Sequence, residues 1–192
     1  MTVRLFARSA LLLPSLVLHH LGLAQAVPGT PTFAVPFRVP RSVGKAELRD
    51  SSFVGDAMAY AYRGPKITSF DLYIWPLPAG DENAAHRDSL LQLEVAKFKD
   101  VAPLGIERGW YDNYEIVFAD PHPVAMQRDS LPGYVVALVF TRRGASFTSF
   151  FYIYALQGMF LKIRLTVPAD GWGSNPALDL PAELVRALAT RR

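Results

Sequence analysis

Residues 134–168 read YVVALVFTRRGASFTSFFYIYALQGMFLKIRLTVP, three β-branched and aromatic runs divided by two glycine-bearing turns. This composition and punctuation predict three consecutive strands, Tyr134–Thr141, Phe147–Leu156 and Met159–Val167. Gln157-Gly158 is a two-residue hairpin loop, because glycine accepts the positive φ that a primed turn requires. Pairing Leu156 with Met159 then sets the register. Tyr154 falls opposite Leu161, Tyr152 opposite Ile163 and Phe150 opposite Leu165, which makes one continuous apolar face. The other face pairs Ala155 with Phe160, Ile153 with Lys162 and Phe151 with Arg164. A slip of one residue would mix the two sets. A sheet face left in water is mostly polar, and this second face still carries Phe151, Ile153 and Phe160. Both faces therefore call for cover, and the meander is expected to be a middle layer.

Two amphipathic segments can supply that cover. In Ala84–Ala102, Leu91, Val95, Phe98 and Ala102 recur at helical spacing, with Asp81 as an N-cap and Pro103 as the stop. Arg87, Asp88, Glu94, Lys97 and Lys99 are expected to face water. Pro181–Thr190 is a second, shorter helix with Leu184, Val185 and Leu188 inward and Arg191 and Arg192 at its C-terminal end. Further strands are expected at Val43–Asp50, Val54–Tyr62, Ile67–Trp75 and Tyr111–Ala119. The second and third of these form a hairpin around Arg63–Lys66. Gly55, Ala57, Ala59 and Ala61 would line one face of the Val54–Tyr62 strand, small enough for a helix to approach closely. The expected fold class is α+β: a single, mostly antiparallel sheet with a long helix and a C-terminal helix packed on it, as a three-layer α/β/α sandwich.

The N-terminus carries the clearest functional signal. Arg4 and Arg8 precede an apolar stretch, Ala10–Leu23, and Ala24-Gln25-Ala26 is a small-x-small cleavage site, the pattern of a secretory leader. The stretch contains Pro14, His19 and His20 and is shorter than a spanning helix needs. The expected organisation is a leader over 1–26, a proline-rich extended lead-in over 27–42 and one domain over 43–192, exported to a bacterial periplasm or beyond. No later segment is long and apolar enough to span a membrane. The chain has no cysteine, so it is held by a core and not by disulfides. Without Arg4 and Arg8 it keeps 18 basic residues against 17 acidic ones, which lacks the electrostatic footprint of a nucleic-acid binder.

Catalytic and metal-binding patterns are sparse. Past the leader only His86 and His122 remain, with no H-E-x-x-H and no zinc spacing, so no metal and no cofactor is assigned. His122, in Asp120-Pro121-His122-Pro123, is read as a loop histidine; no G-x-S-x-G elbow supplies a nucleophile for it. Asp112 and Glu115 could form a hydrolytic carboxylate pair, but the aromatic residues around them read as core. Gly171-Trp172-Gly173 lacks a phosphate-loop context. Asp170, Ser174, Asn175 and Asp179 do not match a calcium loop.

The candidate binding residues are Phe151, Ile153, Phe160, Lys162 and Arg164 on the second meander face, extended by Tyr60 and Tyr62 if their strand lies alongside. Apolar area rimmed by cations suits a docking partner; the alternative is a helix over the apolar part with the charges snorkelling past it. Three functions stay open. The first is a non-enzymatic module that binds an envelope protein through this face. The second is a carrier of a small apolar ligand, held between the Ala57-Ala59-Ala61 face and Leu91, Val95 and Phe98. The third is a cofactor-free hydrolase using His122 or Asp112 with Glu115.

The stretch Phe160-Leu161-Lys162-Ile163-Arg164-Leu165-Thr166-Val167-Pro168, followed by a loop and a last helix, resembles the PsbP-like α/β/α sandwiches and related small exported bacterial proteins. The resemblance covers most of the chain beyond the leader in element order. It implies a fold and carries no site residue across.

Overall fold

The computed structural model describes residues 33–78, 83–170 and 172–190, with nothing said of the Trp172 side chain. The expected leader, the start of the lead-in, the expected cap Asp81, Gly171, and Arg191 with Arg192 lie outside the described residues. The chain forms β1 (Ser42–Val43), β2 (Ala46–Val54), β3 (Ala57–Arg63) and β4 (Ser69–Pro76), then helix α1 (Ala84–Val101) and the single turn α2 (Leu104–Glu107). It continues through β5 (Asn113–Pro121), β6 (Val124–Ala125), β7 (Ser130–Leu131), β8 (Gly133–Arg142), β9 (Ala145–Leu156) and β10 (Met159–Pro168), and ends in α3 (Leu180–Thr190). Eight strands make one curled antiparallel sheet in the order β1-β2-β3-β4-β10-β9-β8-β5, and β6 pairs with β7. The protein is of the α+β class.

The β9–β10 register is the one expected: Leu156 pairs with Met159, Tyr154 with Leu161, Tyr152 with Ile163 and Phe150 with Leu165. Gln157 and Gly158 both take positive φ, 50° and 76°, as a type I′ turn demands. The N-terminal half differs from expectation at two turns. The expected strand Val43–Asp50 is split at Gly44, φ 53°, which turns β1 back onto β2. Gly55 is not part of a strand face; it sits at φ 60° in the turn between β2 and β3. The reason is compositional. β2 reads AELRDSSFV, mostly polar and exposed, so its period-2 signal is weak, and the Gly55-Asp56 turn was absorbed into its neighbour.

The two sheet faces bury different partners. On one, Tyr62, Leu72, Ile74, Tyr152, Tyr154 and Ile163 pack with Leu184, Val185 and Leu188 of α3 and with Phe37 of the lead-in. On the other, Phe98 of α1 and Ala102 at its C-terminal cap pack with Val136, Leu138 and Phe151, and Leu91 packs with Ile153, Ala155 and Phe160. Burying side chains the size of Leu91 and Phe98 is worth about 1.5–3 kcal/mol each, which fixes α1 on the sheet. Its N-terminus is capped by Asn83, whose side chain accepts from the Ala85 amide. Polar ties add direction: the Tyr134 hydroxyl donates to Asp88 at 2.9 Å and accepts from Gln92 at 3.1 Å.

Candidate functional site

The face expected to dock a partner is closed. Phe151, Ile153 and Phe160 are buried under α1, with the Phe98 and Phe151 rings 4.4 Å apart. They cannot form a broad exposed surface, because the helix that covers them presents Leu91, Val95 and Phe98 to that same face. Tyr60 and Tyr62 do not extend it either. Their strand pairs with β4, Tyr60 opposite Leu72 and Tyr62 opposite Phe70, which puts both on the α3 side of the sheet. There the Tyr62 hydroxyl donates to the Pro40 carbonyl at 2.8 Å.

The two cations of the expected set are held inside the molecule. Arg164 pairs across the ladder with Asp71, and both side chains are buried. One Arg164 terminal nitrogen lies 3.1 Å from Asp71 Oδ2, and Nε and the same terminal nitrogen donate to Ser69 Oγ at 3.1 and 3.0 Å. Arg63 approaches Asp71 from the solvent side at 3.7 Å. Lys162 is half-buried, its ammonium 5.7 Å from the centre of the Phe98 ring. Loss of water pushes its pKa down to about 8; Glu94 opposes that shift, and Arg164 and Lys97 add to it. Glu94, expected to face water, is buried and accepts from Lys97 at 2.7 Å.

The open space lies past the C-terminal end of α1. Pro103 ends that helix, α2 makes one turn, and the chain doubles back so that Trp110 and Tyr111 come beneath it. The doubling depends on Gly105, where any Cβ would run into the Tyr111 ring. The Tyr111 hydroxyl donates to the Ala102 carbonyl and pins the turn. Under this bend is a cavity of about 110 Å³. Its buried wall is Phe98, Ala102, Tyr111, Leu138 and Phe151. A buried polar strip runs along one side, formed by Ser69, Arg164, Ser149 and Thr166; the last two hydroxyls are bonded at 2.5 Å. The rim is half-buried and consists of Trp110, Phe140, Phe147, Arg142, Val101 and Thr68.

Of the expected ligand-pocket residues, only Phe98 lines this cavity. Ala59 and Ala61 instead line a shallow 30 Å³ depression with Asp50, Tyr60, Asp71 and Tyr73. The principal contacts of α1 are to β8 and β9, not β3. What sequence reasoning missed was Arg142, Phe140 and Phe147, which flank the Arg143-Gly144 turn of the β8–β9 hairpin. An aromatic on each side of a turn beside an arginine was the available signal.

The catalytic candidates are separated from the cavity. His122 is half-buried on the α3 side, its Nδ1 2.8 Å from the Tyr154 hydroxyl and its ring edge-on to Tyr152. Burial lowers its pKa. Asp112 is exposed and accepts from the Arg143 amide at 2.8 Å, fixing the hairpin turn, and Glu115 is exposed. His86 is exposed on α1. Asn175 caps a short 3-10 turn by accepting from the Ala177 amide. Among the described residues no three His, Cys, Asp or Glu side chains come together as a metal site.

The fold and the cavity define an α+β protein with a curled antiparallel sheet and an apolar recess between its long helix and the sheet. No family model matches the chain, and no curated protein does. Among solved structures it is similar to cyanobacterial PsbP (CyanoP) from Synechocystis sp. PCC 6803, with a TM-score of 0.47 and 12% identity over 65% of this chain and 71% of that one. It is also similar to PA94 of Pseudomonas aeruginosa, described as a protein of unknown function and putative regulator, with a TM-score of 0.34 and 13% identity over 78% of this chain and 97% of that one. The resemblance to PsbP is one of fold.

Proposed function

We propose that this protein is an exported, non-catalytic binding module that carries a small, largely apolar ligand in the recess under the C-terminal end of α1. The observation that carries the reading is the 110 Å³ cavity walled by Phe98, Tyr111, Leu138 and Phe151. Apolar recesses with a few convergent polar groups are the usual form of a small-molecule site. The sequence signals for export support the setting: the leader over 1–26, cleaved near Ala26, would deliver the 43–192 domain and its lead-in to a periplasm. Among the described residues no helix is long and apolar enough to cross a membrane. In this reading α1 and α3 are the outer layers of an α/β/α sandwich, and the cavity opens between the first layer and the sheet. An envelope partner, if the module has one, would meet it elsewhere than at Phe151 and Ile153.

The test is ligand-observed NMR on the full chain with small neutral ring compounds such as benzyl alcohol and indole. Saturation transfer is expected for wild type and is expected to vanish in Ala102→Phe, which fills the recess from its buried wall. Failure of every such compound to bind wild type would overturn the reading.

A further inference from the structure

We propose that the ligand is a monocarboxylate on a ring-sized hydrocarbon body, and that Arg142 on the rim recognises the carboxylate. This rests on the cavity being a binding site and adds the chemistry of what it takes. The lining contains two guanidinium groups, from Arg142 and Arg164, and no carboxylate. The two are not equivalent. The charge of Arg164 is balanced by Asp71 at 3.1 Å, and its Nε and one terminal nitrogen are engaged with Ser69. Arg142 is half-buried, and among the described residues its side chain makes no hydrogen bond or ion pair. A partly desolvated guanidinium facing an apolar recess is poised for a planar, bidentate anion.

Size and charge narrow the class. A closed cavity of about 150 Å³ binds benzene; this recess, at about 110 Å³, is smaller but open at its rim, so it takes at most one six-membered ring or a chain of similar bulk. The head group must then reach the rim, where Arg142 stands. One unbalanced positive charge matches a monoanion; a phosphate monoester would bring nearly two negative charges to it. The walls beside Arg142 are already set: Phe140 and Phe147 stack with centroids 5.3 Å apart, and Tyr111 leans on Phe140 at 5.6 Å. Rigid aromatic walls bind a ring with little ordering cost.

The experiment compares near-isosteric probes on the full chain by calorimetry at low salt: phenylacetate, phenylacetamide and phenyl phosphate. Wild type is expected to bind phenylacetate at least tenfold tighter than phenylacetamide and tighter than phenyl phosphate. Arg142→Gln is expected to erase the acid-over-amide preference while keeping amide affinity, and Arg142→Lys to keep part of it. Equal binding of acid and amide by wild type overturns the carboxylate assignment and leaves the cavity reading standing. A preference for phenyl phosphate overturns it as well. An acid preference unchanged in Arg142→Gln overturns the role of Arg142. Binding of none of the three overturns both readings together.

Discussion

Asp71 and Arg164 meet across the β4–β10 ladder in a place where neither charge has water to fall back on. Removing Arg164 leaves the buried Asp71 carboxylate with only the exposed Arg63 guanidinium at 3.7 Å, so Arg164→Met is expected to cost about 3 kcal/mol, the low end of the range for a broken buried pair. Replacing both, as Asp71→Leu with Arg164→Met, is expected to recover most of that loss, because apolar groups of similar volume replace a buried pair at little net cost. Urea midpoints of the three variants check both halves. Lys162 gives the opposite sign. Its amine has a pKa near 8 in the fold against 10.5 in the open chain, through loss of water. Below pH 8 both states are charged and the fold bears the whole desolvation cost. Between 8 and 10.5 the unfolded chain holds more protons, so stability rises with pH; above 10.5 the cost is gone. Lys162→Met is therefore expected to be more stable than wild type by about 1–2 kcal/mol at pH 7, a figure reduced because the side chain is only half-buried. That advantage should shrink toward zero as pH approaches 10.5, which thermal melts across the range would record.

The bend that joins α1 to β5 is the element on which the recess depends. Gly105→Ala would push a methyl group into the Tyr111 ring, at a cost of about 1–3 kcal/mol as over-packing. It is expected to move Tyr111 and weaken binding of phenylacetate, both measurable on one sample by melting and calorimetry. Nothing in the local sequence foretold this bend, whereas the β9–β10 hairpin could be read residue by residue. The difference is physical. Gln157-Gly158 admits one turn geometry, and that turn fixes each pair from Leu156–Met159 to Phe150–Leu165. The cavity gathers residues as far apart as Thr68 and Thr166, so it follows from strand order and from where α1 crosses the sheet. Two-sided greasiness in Phe151 and Ile153 was visible and called for a helix as cover; how much of that face the helix would leave bare was not, and α1 leaves none of Phe151, Ile153 and Phe160 exposed, which removes the docking surface. The Ala57-Ala59-Ala61 pocket failed for the same reason, since β3 lies beyond β4 and away from the helix.

At the scale of the whole molecule, protection should follow position in the sheet. Amides of β9 and β10, central and buried on both faces, are expected to exchange with solvent only through global unfolding. Those of β2, which is mostly exposed, and the outer β5 strand are expected to exchange through local opening; hydrogen exchange followed by mass spectrometry reads this directly. Strand order carries one more consequence. β10 lies between β4 and β9, so among the described residues the last strand made is the only one whose pairing joins the N-terminal hairpins to the later meander. A nascent chain that ends before residue 159 holds two half-sheets with no edge in common. Final closure of the sheet waits for the tail, so the late hairpin turn at Gln157-Gly158 sets the moment at which the two halves become one.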